Sequence, residues 1–151
     1  MMLLNVFKTI RQKMYLVDTN VISELRRGAK SNQGVRYFFE SCITHNHTLY
    51  LSVITIGELK RGVEIIRHRN DLVQAKLLDH WLNEITTQYS SYILPVSIEI
   101  SNIWASLRVP LPHNALDKLI AATAIHHNLT VVTRNEKDFS GLPLQVLNPF
   151  S

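Results

Sequence analysis

Short apolar runs alternate along the chain with longer stretches of helical spacing. Tyr15-Leu16-Val17 is an apolar run that stops abruptly at Asp18-Thr19-Asn20, which predicts a buried strand and then a helix start. Val21, Ile22 and Leu25 give that helix an apolar face, and Arg26-Arg27-Gly28 ends it. A second helix is predicted over residues 35–42, a β-rich strand over 49–54 and a helix over 56–66. The clearest helical signal lies in 71–86, where Leu78, Trp81, Leu82 and Ile85 fall at i, i+3, i+4 and i+7. Residues 92–96 read as an edge strand because of Pro95. A helix follows over 98–107, and another over 116–127 that is apolar on nearly all sides and hence buried. The end of the chain reads as a strand (130–133), a short turn or helix (136–139) and a last strand (144–147). Trp81 and Trp104 fall in helical patterns and are read as core. Strands alternating with helices predict an α/β layered fold with a mainly parallel sheet.

Composition narrows the class. The 151 residues, 46% hydrophobic and 19% charged, suit one globular domain with a real core. The single cysteine, Cys42, excludes an intrachain disulfide and fits a reducing cytoplasm. No apolar stretch is long enough to span a bilayer, so no membrane association is expected. Net charge is +4, but Lys8, Arg11 and Lys13 sit in an acid-free leader. The other thirteen basic residues against twelve acids leave +1 from Met14 onward, so charge alone does not identify a nucleic-acid partner. Residues 1–13 have their apolar positions before their basic ones, the wrong order for a signal peptide. They read as an extension, either a mis-assigned start ahead of Met14 or an extra helical turn.

Phosphate-binding glycine loops, the G-x-S-x-G elbow and H-E-x-x-H are absent from the sequence. What stands out is the placement of acids. Asp18 follows the first strand, and Glu58 lies in the first turn predicted after the second. Asp117 lies in the first turn of the buried helix, and Asn135 and Asp138 follow strand 130–133. In a parallel sheet such positions meet at one edge, where ligands bind. Each also has an ordinary explanation. Asp18 or Asn20 suits an N-cap, Thr55-x-x-Glu58 and Asn114-x-x-Asp117 have capping-box spacing, and Asp138 suits a turn. Together, however, carboxylates at one edge repel one another, and a hard divalent cation, Mg²⁺ or Mn²⁺, is the natural way to hold them. Arg26, Lys60, Arg61, Lys118 and Arg134 lie near these acids in sequence and suggest a basic rim for a phosphodiester. Cys42, His45 and His47 offer a competing zinc site without a recognisable fourth ligand, and His126-His127 suit a helix C-terminus.

Four segments carry a family resemblance: Leu16-Val-Asp-Thr-Asn-Val-Ile-Ser-Glu-Leu-Arg-Arg, Ser52-Val-Ile-Thr-Ile-Gly-Glu-Leu-Lys-Arg-Gly, Leu116-Asp-Lys-Leu-Ile-Ala-Ala-Thr-Ala and Val132-Thr-Arg-Asn-Glu-Lys-Asp-Phe. In that order they resemble PIN-domain ribonucleases and, more narrowly, the VapC toxins of type II toxin–antitoxin systems, over about residues 14–150. The resemblance implies a PIN-like three-layer α/β/α sandwich over 14–151 and Mg²⁺- or Mn²⁺-dependent cleavage of RNA. It implies that Asp18, Glu58 and Asp117 serve the metal, supported by Asn20 and Thr133. The fourth position is Asn135 or Asp138. Arg26, Arg61 and Arg134 are the candidate phosphate contacts. A VapB-like antitoxin and a homodimer are also implied. A non-catalytic module that binds RNA or a protein is the alternative, kept open by Asn135.

Overall fold

The computed structural model describes residues 12–151; most of the 1–13 extension therefore lies outside the described residues. Five parallel strands form one sheet: β1 (Met14–Val17), β2 (Thr48–Ser52), β3 (Ile93–Leu94), β4 (Thr130–Val132) and β5 (Val146–Leu147), in the order β3-β2-β1-β4-β5. Parallel neighbours require crossovers, and helices supply them. These are α1 (Thr19–Leu25), α2 (Gln33–Thr44), α3 (Val53–His68), α4 (Leu72–Gln88), α5 (Ile98–Arg108) and α6 (Ala115–His127).

The period-two alternation of β1 divides the core. Tyr15 and Val17 join Val132 of β4 and the apolar stripes of α1 to α4, including Val21, Phe38, Leu59 and Leu78. Leu16 points the other way, into a second cluster with Val131, Phe139 and Ile120, Ala121 and Ala124 of α6. Both sheet faces are thus buried, which gives the expected three-layer α/β/α sandwich. The small Ala121 and Ala124 are fully buried there, so they serve close helix–sheet packing.

Several local expectations are corrected. The second strand ends at Ser52, whose Oγ accepts from the Ile54 N–H at 3.0 Å and caps α3. Val53 and Ile54, despite their β preference, therefore enter a helix, because a cap is a stronger local signal than propensity. The Thr55–Glu58 capping box does not form, since Thr55 is inside α3, fully buried, with its hydroxyl unpartnered. Glu58 lies in the second turn rather than the first. The edge strand β3 shrinks to two residues, because Tyr92 ends a 3₁₀ turn and Pro95 lacks a donor. The last strand likewise covers only Val146–Leu147. Trp81 is half-buried against the core, but Trp104 lies outside both clusters, half-buried, and donates Nε1–H to the Ala115 carbonyl at 2.9 Å.

Candidate active site

The C-terminal ends of β1 and β4 lie side by side, with the Asp18 N–H donating to the Val132 carbonyl at 2.9 Å. This places Asp18 and Thr133 together although 115 residues separate them. Asp18 is buried, and its carboxylate is almost fully engaged. One oxygen accepts from the Thr19 N–H at 2.8 Å. The other accepts from the Thr133 hydroxyl at 2.7 Å and from Asn20 Nδ2 at 3.2 Å. Asn20 also accepts from the Arg134 N–H at 3.0 Å, so it ties α1 to the loop after β4. Asn20 and Thr133, both singled out from the sequence, thus each donate to the Asp18 carboxylate.

Glu58 reaches the same edge from α3. Its Oε1 accepts from the Thr19 hydroxyl at 2.9 Å. Thr19 was not singled out from the sequence, yet it bonds Asp18 with its N–H and Glu58 with its hydroxyl. The only hint was its place between Asp18 and Asn20. Asp117, in the first turn of α6, is half-buried and accepts no hydrogen bond among the described residues. Asp138 lies in the 3₁₀ turn Glu136–Phe139 and accepts from Asn114 Nδ2 at 3.3 Å. The second proposed capping box fails here, because Asn114 makes no side-chain cap bond.

The electrostatics show that these acids share one neighbourhood. Burial raises Asp18 above the ordinary carboxylate range, against the lowering effect of its donors, and Asp138 adds to the rise. Glu58 is raised by burial and by Asp18, with Thr19 and Arg61 opposing. Asp117 is pushed up to about 6 by burial and then by the charges of Asp18, Asp138 and Glu58. The donor set is all oxygen, the type that suits a hard divalent cation. Among the described residues, no three His, Cys, Asp or Glu side chains already close on one point as a finished cage. Asn135 sits beside the acids but points no bonded side-chain group into the cluster. It is exposed, and its N–H donates to the Thr133 hydroxyl at 3.0 Å.

The basic rim is thinner than the sequence suggests. Lys118 is buried and donates to the His113 carbonyl at 2.5 Å, so it is not part of a rim. Lys60 pairs with Asp79 at 2.6 Å and Glu64 at 3.3 Å. The Arg26 guanidinium lies 5.9 Å from the centre of the Trp81 ring, and that of Arg134 lies 4.7 Å from the centre of Phe150. Arg61 is exposed, makes no side-chain hydrogen bond or ion pair among the described residues, and lowers Glu58 by its charge. The zinc alternative also loses its footing. Cys42 is buried in the core, its thiol pushed up to about 11 by burial, while His47 Nδ1 accepts from the Lys13 N–H at 3.0 Å.

Comparison with known proteins places this geometry. The chain is 35% identical over 142 residues to Toxin FitB of Neisseria gonorrhoeae, a match covering 91% of this chain and 99% of that protein. It is 31% identical over 144 residues to the VapC ribonuclease Y4jK of Sinorhizobium fredii, covering 91% of this chain and 98% of that protein. In three dimensions it resembles a chain in the crystal structure of FitAcB from N. gonorrhoeae, with a TM-score of 0.78 and 34% identity, covering 90% of this chain and 98% of that one. A chain in the structure of VapBC2 from Rickettsia felis, bound to a promoter DNA fragment, gives a TM-score of 0.68 at 25% identity, over 89% of this chain and 97% of that one. The family model of the PIN domain matches residues 15–143, and the chain belongs to the PIN domain family.

Proposed function

We propose that this chain is a divalent-cation-dependent endoribonuclease and the toxin of a toxin–antitoxin pair. The observation that carries the reading is the set of four acids, Asp18, Glu58, Asp117 and Asp138, brought to one sheet edge at the cost of mutual repulsion. Such an arrangement has no value for stability, and it suits a site that takes up a cation. The names of the relatives, a VapC ribonuclease and a toxin, support the same reaction and the same biological role.

Asp18, Glu58, Asp117 and Asp138 would hold Mg²⁺ or Mn²⁺. Bound there, the cation supplies a Lewis acid and lowers the pKa of water. The chain's own residues do the rest. Thr19, Asn20 and Thr133 lock the Asp18 carboxylate in one orientation, so it needs no reorganisation during the reaction. Asp117, without a hydrogen-bond partner among the described residues, keeps its lone pairs free for the incoming charge. Arg61, exposed and close enough to Glu58 for its charge to act there, would contact a phosphate of the RNA. Arg134, stacked on Phe150, is a second contact at the loop after β4.

An antitoxin of the VapB type is the expected protein partner, in keeping with a toxin–antitoxin complex from Klebsiella pneumoniae and a VapBC2 structure among the structural relatives. An apolar groove of about 850 Å³ between α2 and α4, lined by Ile22, Leu25, Phe39, Trp81 and Ile85, offers a place for it to bury side chains. None of the four acids lines that groove. A homodimer is expected from the resemblance to VapC toxins alone, and an enzyme acting on cellular RNA would work in the cytoplasm. Among the described residues, no helix is long and apolar enough to cross a membrane.

The test is incubation of the antitoxin-free chain with total cellular RNA and Mn²⁺, alongside EDTA and an Asp18→Asn protein. Discrete fragments that disappear with EDTA and fall at least about 100-fold with Asp18→Asn are expected. Metal binding and a folded chain without any cleavage would shift the reading to a non-catalytic RNA- or protein-binding module.

A further inference from the structure

The loop joining α5 to α6 is tethered by three side chains, each donating to a different backbone carbonyl. Arg108 donates to Pro112 at 3.0 Å, Lys118 to His113 at 2.5 Å, and Trp104 to Ala115 at 2.9 Å. Arg108 also lies over the Trp104 ring, 4.9 Å from its centre. A buried lysine is costly unless something requires it, and the His113 carbonyl is its only hydrogen-bond partner among the described residues. Between these anchors sits Asn114, in the left-handed region at φ 55° and ψ 57°. A residue capping a helix normally has extended backbone and turns its side chain onto the first N–H groups. Asn114 does neither. Its amide turns outward and donates to Asp138 across 24 residues of sequence. Asn is the non-glycine residue that best tolerates this backbone. A local rule broken beside a cluster of acids points to function at that position.

We propose that Asn114 is a positioning residue of the acidic centre: clamped by the Lys118–His113 tether, it holds the Asp138 carboxylate towards Asp117. This inference rests on the cation-dependent reading above. Asp138 is carried by a short 3₁₀ turn, and Asn114 is its one side-chain hydrogen-bond donor among the described residues. The tether also explains why Lys118 is buried, facing the loop instead of the phosphodiester. Asn114 thereby contributes to the placement of two acids, since it also opens the helix that presents Asp117.

The experiment measures Mn²⁺ binding to the full chain, stripped of metal, by the paramagnetic resonance of free Mn²⁺. The proteins are wild type, Asn114→Gly, Asp138→Asn, the double variant and Lys118→Met. Glycine keeps the left-handed backbone without strain and removes only the amide, so the melting temperature should stay near that of wild type. Asn114→Gly should weaken Mn²⁺ binding about 10-fold, the usual scale for a residue supporting a ligand. Lys118→Met should act in the same direction by a smaller factor. The double variant should bind no more weakly than Asp138→Asn alone, because Asn114 acts through Asp138. Unchanged binding by Asn114→Gly, or additive losses in the double variant, would overturn the inference while leaving the cation reading intact. A wild-type chain that binds no Mn²⁺ would overturn both.

Discussion

Two clusters of charge, both involving α3, behave in opposite ways. On the outer side of α3 and α4, Lys60 and Arg67 interleave with Glu64 and Asp79, each acid paired with both cations. There the acids are lowered, first by hydrogen bonds from their basic partners. At the sheet edge, Asp18, Glu58 and Asp117 are raised, first by burial and then by one another. The same residue type on the same helix thus titrates in opposite directions: Glu64 down and Glu58 up. The first cluster is a solvated lattice joining two helices, and it satisfies itself. In the second, the charges of Arg61 and Lys118 only oppose the rise, and neither forms an ion pair with these acids among the described residues, the pattern of a site that takes up further positive charge.

The sharpest way to break the comparison is Asp117→Asn. Cleavage of RNA should fall at least about 100-fold, as for other groups acting directly on a reaction. The same change should stabilise the cation-free protein at pH 7, because it removes one of the repelling charges. A rise in melting temperature of a few degrees, about 2–4 °C per kcal/mol for a chain of this size, is the measurement. An inactive variant that is also less stable would show that Asp117 is a structural residue.

The next effect is a pH dependence of the cation-free wild type. Asp117 has an ordinary value of 3.8 and a folded value of about 6, so the folded chain keeps a proton that the unfolded chain has lost. Stability contributed by this group therefore falls as pH rises from about 4 to about 6, where the unfolded state binds fewer protons. Thermal melts across that window should show the decline, and saturating Mn²⁺ should reduce it by neutralising the acids. Glu64 and Asp79 have the opposite sign. Lowered in the fold, they stabilise above their ordinary values of 4.5 and 3.8, and that contribution is lost as pH falls below them.

The smallest effect is expected from Asp79→Asn, which breaks the paired cluster at its centre. Exposed pairs contribute little, so the melting temperature should move by no more than about 4 °C, with cleavage unchanged. A large loss of stability there would make the two clusters less different than their chemistry suggests.

Much of this molecule was legible in its residues. The abrupt end of Tyr15-Leu16-Val17 at Asp18 located a buried strand and an acid at its tip. The all-apolar helix carrying Asp117 announced its own burial. Other features were misread for a common reason. Thr55 and Glu58 matched a capping box, but Ser52 had already started the helix. Lys118 looked like a rim charge beside Asp117, although the turn of α6 carries its side chain inward to the His113 carbonyl. Thr19 looked unremarkable, because its bond to Glu58 spans 39 residues.

The sequence by itself determined the alternation of strands and helices, and with it a parallel sheet buried on both faces. Those properties depend on local periodicity and on which side chains avoid water. Only the tertiary structure decided which acids meet, which cations are free to face them, and that Asn114 serves Asp138 instead of its own helix. Such outcomes depend on distances between segments far apart in the chain, and one sequence records neighbours along the backbone, not across the fold.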